Sequence, residues 1–173
     1  MNSSPNKLAP VVLSAMIMTL ISSVPVLNLL NVFCCSGIIL GGFIGIYSYS
    51  RQLANTNTPL MQKDAIMIGL LSGIIAAIVQ TGIGLAISLF SKTNPMAEAM
   101  EMLSGMGKDI PPEVMQIFDK FSNEYTQYGY SPTLTIFSLV IHLVLFPLFG
   151  ILGSFIGFSI LKKKNNINTN IQP

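Results

Sequence analysis

Residues 34–51 read CCSGIILGGFIGIYSYSR, and this stretch decides the fold. It contains four glycines and no acidic residue, and its single charge stands at the last position, Arg51. A helix of about 20 apolar residues is long enough to cross the roughly 30 Å hydrocarbon layer of a bilayer. The stretch therefore predicts a membrane-spanning helix whose glycines let another helix approach closely.

The composition of the whole chain agrees with a membrane protein. The 173 residues are 51% hydrophobic and only 9% charged, whereas about 25% of the residues in a soluble domain are charged. The net charge of +2 is too small to indicate nucleic-acid binding. Two cysteines are too few for a disulfide framework.

Four segments are apolar and long enough to span a bilayer, and none contains Asp, Glu, Lys or Arg. They cover residues of about 8–27, 32–49, 65–90 and 133–161. We therefore expect an all-α fold, in which residues 1–173 form one membrane domain of four transmembrane helices. Residues 165–173 are polar and are predicted to be a disordered tail.

The first segment has a second interpretation, as a cleaved signal peptide that begins after Lys7. Ser22, Ser23 and Val24 form a poor cleavage site, and Pro25 follows them closely. A membrane helix is therefore the preferred interpretation of this segment.

The charges predict the orientation of the four helices. One side holds six positive charges and one negative charge, and the other side holds three positive and six negative. Because basic loops stay in the cytoplasm, both termini are predicted to be cytoplasmic.

The connection over residues 91–132 is the largest segment outside the predicted bilayer. Met96, Met100 and Met106 recur at helical spacing, and a second apolar face follows from Val114 to Tyr128. We expect two amphipathic helices outside the cytoplasm. They would cover the helix ends, lie in the headgroup layer, or bind a ligand or partner.

Small residues recur every four positions on three of the four segments. The rows are Gly37, Gly41 and Gly45; Gly69, Gly73 and Ala77; and Gly150 with Ser154, beside Gly153 and Gly157. Residues four apart share one helix face, so the rows predict close helix packing. That packing is expected within one chain or between the subunits of a homo-oligomer, and a glycine-lined pore is a further alternative.

Gln80 and His142 are polar residues inside predicted membrane segments, each about 15 Å from the outer end. An ionisable group in a membrane often marks a transport path. The alternative is a structural hydrogen bond between the two side chains.

Cys34 and Cys35 are adjacent near the outer end of the second segment. Neighbouring helical side chains point about 100° apart, so a role as small apolar residues is expected. Alternatives are intermolecular disulfide bonding and a Cu(I) site that also uses Met96, Met100, Met102 and Met106, because thiolates and thioethers favour that ion.

Residues 25–51, PVLNLLNVFCCSGIILGGFIGIYSYSR, and residues 149–164, FGILGSFIGFSILKKK, resemble patterns in small bacterial membrane proteins of unknown function. In these proteins an asparagine and a cysteine pair precede a glycine-rich helix that ends in tyrosines and a basic residue. The resemblance implies a four-helix inner-membrane protein and implies no activity.

The sequence contains no catalytic motif, so no enzyme activity and no cofactor are predicted. The first hypothesis is a structural or interaction protein that is packed through its glycine rows and has the lipid bilayer as its surroundings. The second is a small transporter or channel that uses His142 and Gln80. The third is an outer-face Cu(I) or thiol-redox module.

Overall fold

The fold is all-α, as predicted: six helices and no β-strand occur in the residues that the computed structural model describes, which are 5–24, 35–54, 56, 58–91, 95–105 and 111–169. The helices are α1 (Leu8–Ser23), α2 (Ser36–Ala54), α3 (Gln62–Ser91), α4 (Pro95–Gly105), α5 (Pro112–Tyr128) and α6 (Pro132–Thr169). The backbone of residues 165–169, where a disordered tail was predicted, is helical.

Prolines and a glycine set the helix ends. Val24 is extended, with φ −85° and ψ 119°, because the residue before a proline is driven out of the helical region. Helix α1 therefore ends before the predicted boundary at residue 27. Pro112 stands in the first turn of α5, and Gly129, with φ +77°, ends it in the left-handed conformation that favours glycine.

Two helices are long and apolar enough to cross a membrane, Gln62–Ser91 and Pro132–Lys163. Helix α1 is apolar but has 16 residues, which corresponds to about 24 Å at 1.5 Å per residue. Helix α2 has 19 residues, of which the last turn contains Arg51. The four-span arrangement expected from the sequence is therefore supported only for α3 and α6.

The chain divides into two compact units. Unit 1 consists of Met1–Gln80 and Ile141–Pro173, and unit 2 consists of Thr81–Val140. Unit 1 thus contains α1, α2, most of α3 and most of α6. Unit 2 contains α4, α5 and the remaining ends of α3 and α6.

Two layers of buried side chains show how the helices of unit 1 run. One layer joins Val11, Ile46, Tyr49, Leu53, Ala65, Ile68 and Phe158, and the other joins Ala15, Met18, Ile38, Ala76, Ala77 and Phe146. Along α1 and α3 the chain passes from the first layer to the second, and along α2 and α6 it passes back. Successive helices of unit 1 are therefore antiparallel.

Unit 1 also buries small polar side chains, and it exposes many large apolar ones. Ser14, Ser72 and Ser154 have no exposed surface. Leu20, Ile78 and Val144 expose 58%, 56% and 60% of theirs. Large apolar side chains exposed in such numbers are unusual in a soluble protein, whereas helices that pack in lipid bring small residues together.

In unit 2, the side chain of Glu124 joins the end of α5 to the first turn of α6. Its carboxylate accepts hydrogen bonds from the hydroxyl groups of Ser131 and Thr133 and from the backbone N–H of Thr133. The Ser131 hydroxyl oxygen in turn accepts the N–H of Leu134 across 3.1 Å. These bonds satisfy N–H groups that the first turn of a helix leaves without partners.

Candidate functional site

The glycines predicted to pack helices face backbone atoms of neighbouring helices in unit 1. A Cβ atom at Gly69 would lie 2.6 Å from the carbonyl oxygen of Gly150. Gly73 faces the backbone of Pro147, and Gly153 faces the carbonyl group of Ile39. Real Cβ atoms do not approach other atoms this closely, so α6 packs on α2 and α3 at a distance that only glycine permits.

Three other glycines in these rows face side chains. Gly41 lies against Met18, Gly45 against Ser14, and Gly157 against Ile46. Gly37 and Ala77 are buried. Contact of the glycine rows between the subunits of a homo-oligomer stays a prediction.

Two serine hydroxyl groups join helices at the same crossings. Ser14 donates to the carbonyl oxygen of Gly41 across 2.9 Å, and Ser154 donates to that of Gly42 across 3.0 Å. The sequence reasoning missed the role of Ser14. The signal that points to it is the spacing of four between Pro10, Ser14 and Met18, all three of which are buried.

A charged pair lies at the end of unit 1 where α1 and α3 begin. Lys7 Nζ is 2.8 Å from Asp64 Oδ1, and the two side chains are 24% and 7% exposed. Asp64 Oδ2 also accepts the backbone N–H of Met61 across 3.0 Å. Lys7 Nζ lies 5.8 Å from the centre of the Tyr49 ring. The hydrogen bond to Asp64 raises the pKa of Lys7 above its ordinary value.

Asp64 is a second residue whose role the sequence reasoning did not identify. It follows Lys63 in a short polar connection, so it was counted only as a loop charge. In the structure it is buried and compensated by Lys7. Its carboxylate therefore joins the start of α1 to the first turn of α3.

Arg51 lines an open groove of about 1190 Å³ near the end of α2. Its guanidinium group donates two hydrogen bonds to the Tyr47 hydroxyl oxygen, from Nε across 3.1 Å and from Nη2 across 2.7 Å. The guanidinium carbon lies 5.2 Å from the centre of the Tyr47 ring. Tyr47 thus holds the guanidinium group in place without neutralising its charge.

The two polar residues predicted to lie within membrane segments have partners in unit 1. The amide oxygen of Gln80 accepts a hydrogen bond from Ser23 Oγ across 3.0 Å. The imidazole ring of His142 packs edge-on against the Phe146 ring, with 5.4 Å between the ring centres. The hydrogen bond between Gln80 and His142 stays a prediction.

The residues proposed for copper fall in different parts of the chain. Cys35 is half-buried and packs on the second layer of unit 1. In unit 2, Met96 and Met100 line a groove of about 410 Å³ together with Phe118 of α5. Met102 is exposed. Cys34 and Met106 lie outside the described residues.

Within the part of the chain that the structure describes, no group of three or more His, Cys, Asp or Glu side chains is arranged to hold a metal ion. The chain matches no protein-family profile, no characterised relative and no solved structure at a significant level.

Proposed function

We propose that the protein is an integral membrane protein with a structural or interaction role, whose helices pack through small residues and face lipid with large apolar side chains. The observation that carries this proposal is the exposed apolar surface of unit 1 together with its buried small residues. Serines and glycines lie in its interior beside the apolar core, and many leucines, isoleucines and valines are exposed on its surface. Contact of that surface with lipid tails costs little free energy, whereas its contact with water is unfavourable.

The proposal extends the membrane span from the two long apolar helices, α3 and α6, to α1 and α2. Helices α3 and α6 exceed the roughly 20 residues that a span requires. Helix α2, with 19 residues, is close to that length. Helix α1, with 16 residues, requires the bilayer to thin slightly or Lys7 to extend towards the headgroups.

The charges give the proposed orientation. Lys7, Arg51, Lys63 and Lys162 flank the layer that contains Val11 and Phe158, at the same end of the antiparallel helices. Asp64, the acid at this end, is paired with Lys7. A basic end of this kind stays in the cytoplasm, so we propose a cytoplasmic location for it and, from the acidic charge pattern of residues 91–132, an outer location for that segment.

An interaction role is favoured over transport because the helix crossings are occupied by backbone contacts and serine hydrogen bonds. A lipid-facing surface of large apolar side chains then remains for contact with other membrane components. Gln80, the proposed partner of His142 in a transport path, is engaged by Ser23.

The substitution His142→Leu separates the two functions. We expect the variant to reach the membrane, to remain folded, and to change in stability by less than about 2 kcal/mol, the range of one hydrogen bond between membrane helices. Proton or solute flux through proteoliposomes should be the same for the variant and the wild type. A wild-type flux that His142→Leu abolishes, with folding intact, would instead establish the transporter.

A further inference from the structure

The groove beside Arg51 is lined by one cationic side chain and by apolar side chains. Arg51, Gln52 and Thr58 line it together with Leu13, Ile44 and Leu161. Ile44 and Arg51 are seven residues apart on α2, which is about 10 Å along a helix axis. The lining therefore offers a cationic group and apolar contacts at separate points along α2.

Among the residues that the structure describes, Arg51 is the one charged residue that lines the groove, and it forms no ion pair. A guanidinium group has five N–H donors, of which Tyr47 receives two. Three donors and the full charge thus remain available to a ligand.

The neighbouring residues add to the same charge and donor pattern. Ser48 brings a hydroxyl group to the groove lining. Lys162 follows Leu161 on α6 and is exposed. Asp64, the acidic residue at this end of unit 1, is paired with Lys7. A ligand with an anionic head and an apolar tail would complement this lining.

We propose that this groove binds the phosphate group of an anionic phospholipid, with the guanidinium group of Arg51 on the phosphate and an acyl chain along Leu13, Ile44 and Leu161. Arginine donates to phosphate oxygens in a fixed planar geometry, and basic pockets between helix ends on the cytoplasmic side suit anionic headgroups. The inference rests on the proposed membrane location, because only there does the groove meet lipid.

The phosphate chemistry would also fit free phosphate, so the test compares the two sources. Full-length protein in a neutral detergent is titrated with phosphatidylglycerol, with phosphatidylcholine and with inorganic phosphate, and bound lipid is counted by native mass spectrometry. We expect phosphatidylglycerol to bind best. Inorganic phosphate at equal concentration should not displace it, because phosphate lacks the apolar contacts.

Arg51→Gln should weaken phosphatidylglycerol binding about tenfold, since it removes a charge-assisted contact. Lys163→Gln is the matched control, because it removes one charge at the same end but outside the groove lining, and it should change binding by less than about twofold. An equal loss of phosphatidylglycerol binding in the two variants would show nonspecific electrostatic attraction and would contradict the proposed site. Displacement by inorganic phosphate, or no adduct with the wild type, would also overturn it.

Alkaline extraction of membranes from the same cells separates this inference from the proposed function. If the wild type stays in the membrane pellet while Arg51→Gln binds phosphatidylglycerol as tightly as the wild type, the lipid site is wrong and the membrane assignment stands. If the wild type is extracted, both are wrong.

Discussion

Ser154 of α6 donates its hydroxyl hydrogen to the carbonyl oxygen of Gly42 of α2 across 3.0 Å, and joins segments that are 112 residues apart in sequence. Gly42 itself faces the backbone of Gly150, one turn before Ser154 on α6. The absence of a side chain at both glycines brings the helices close enough for the serine to reach the carbonyl group. Close approach and hydrogen bonding therefore depend on each other at this crossing.

Ser154→Ala should destabilise the protein by about 0.5–1.5 kcal/mol, because it removes a buried hydrogen bond and leaves the packing nearly unchanged. The measurement is thermal or denaturant unfolding in a fixed detergent. Ser159→Ala is the control on the same helix, since the Ser159 hydroxyl bonds to its own helix at Phe155 and is exposed. Similar losses in the two variants would contradict the role of the interhelical bond.

Gly69→Ala should destabilise by about 1–3 kcal/mol, the cost typical of an overfilled core. Its Cβ would lie 2.6 Å from both the Gly150 carbonyl oxygen and the Ile151 Cα atom, so the backbone of α6 must move. The same substitution at Gly84, on the same helix, meets no described atom within 4 Å. Gly84→Ala should therefore leave stability unchanged or raise it slightly; a loss there as large as at Gly69 would show a general effect on the helix.

A double-mutant cycle tests the Lys7–Asp64 pair. Lys7→Met leaves a buried carboxylate without its cation and should destabilise more than the double variant Lys7→Met with Asp64→Asn. We expect a coupling energy of at least about 1 kcal/mol from unfolding measurements at pH 7. Additive effects of the two substitutions would show that the pair contributes nothing at this position.

Lowering the pH should loosen the joint between α5 and α6. Hydrogen bonds from Ser131 and Thr133 hold the pKa of Glu124 below its ordinary value of 4.5. Because this pKa is lowered, the ionised carboxylate stabilises the joint at pH values above the ordinary pKa. The stabilisation is lost as the pH falls through the pKa of the folded state. The protection of the Thr133 amide against hydrogen exchange, relative to an unstructured peptide, should decrease on acidification below pH 4.5.

Glu124→Gln should remove this dependence, because an amide does not titrate in that range. The matched control is Glu113→Gln, at the exposed first turn of α5, which should keep the wild-type pH profile. A pH profile in Glu124→Gln identical to that of the wild type would contradict the assignment.

The helices and their faces were predictable because they depend on local pattern. Long apolar segments without charge predicted α3 and α6, and spacings of four predicted which face of each helix is small. The helical spacing of Met96 and Met100 predicted α4. The all-α class follows directly from these patterns.

The partners of these faces could not be predicted, because they depend on how distant segments meet. Spacing shows that Gly73 is on a small face but not that Pro147 lies against it. Asp64 looked like a solvated loop charge until α1 brought Lys7 beside it. Gln80 was matched to His142 by depth alone, and its described partner is Ser23 at the end of α1.

The most direct test asks whether Lys163, in the basic segment after α6 leaves the predicted bilayer, and Glu113, in the acidic segment, face different compartments. Lys163→Cys and Glu113→Cys are introduced separately in a Cys34→Ser, Cys35→Ser background, and a membrane-impermeant maleimide is added to intact cells and to inverted vesicles. The account predicts that Glu113→Cys is labelled only in intact cells and Lys163→Cys only in inverted vesicles. Labelling of both positions from the same side, or recovery of the protein in the soluble fraction, would contradict it.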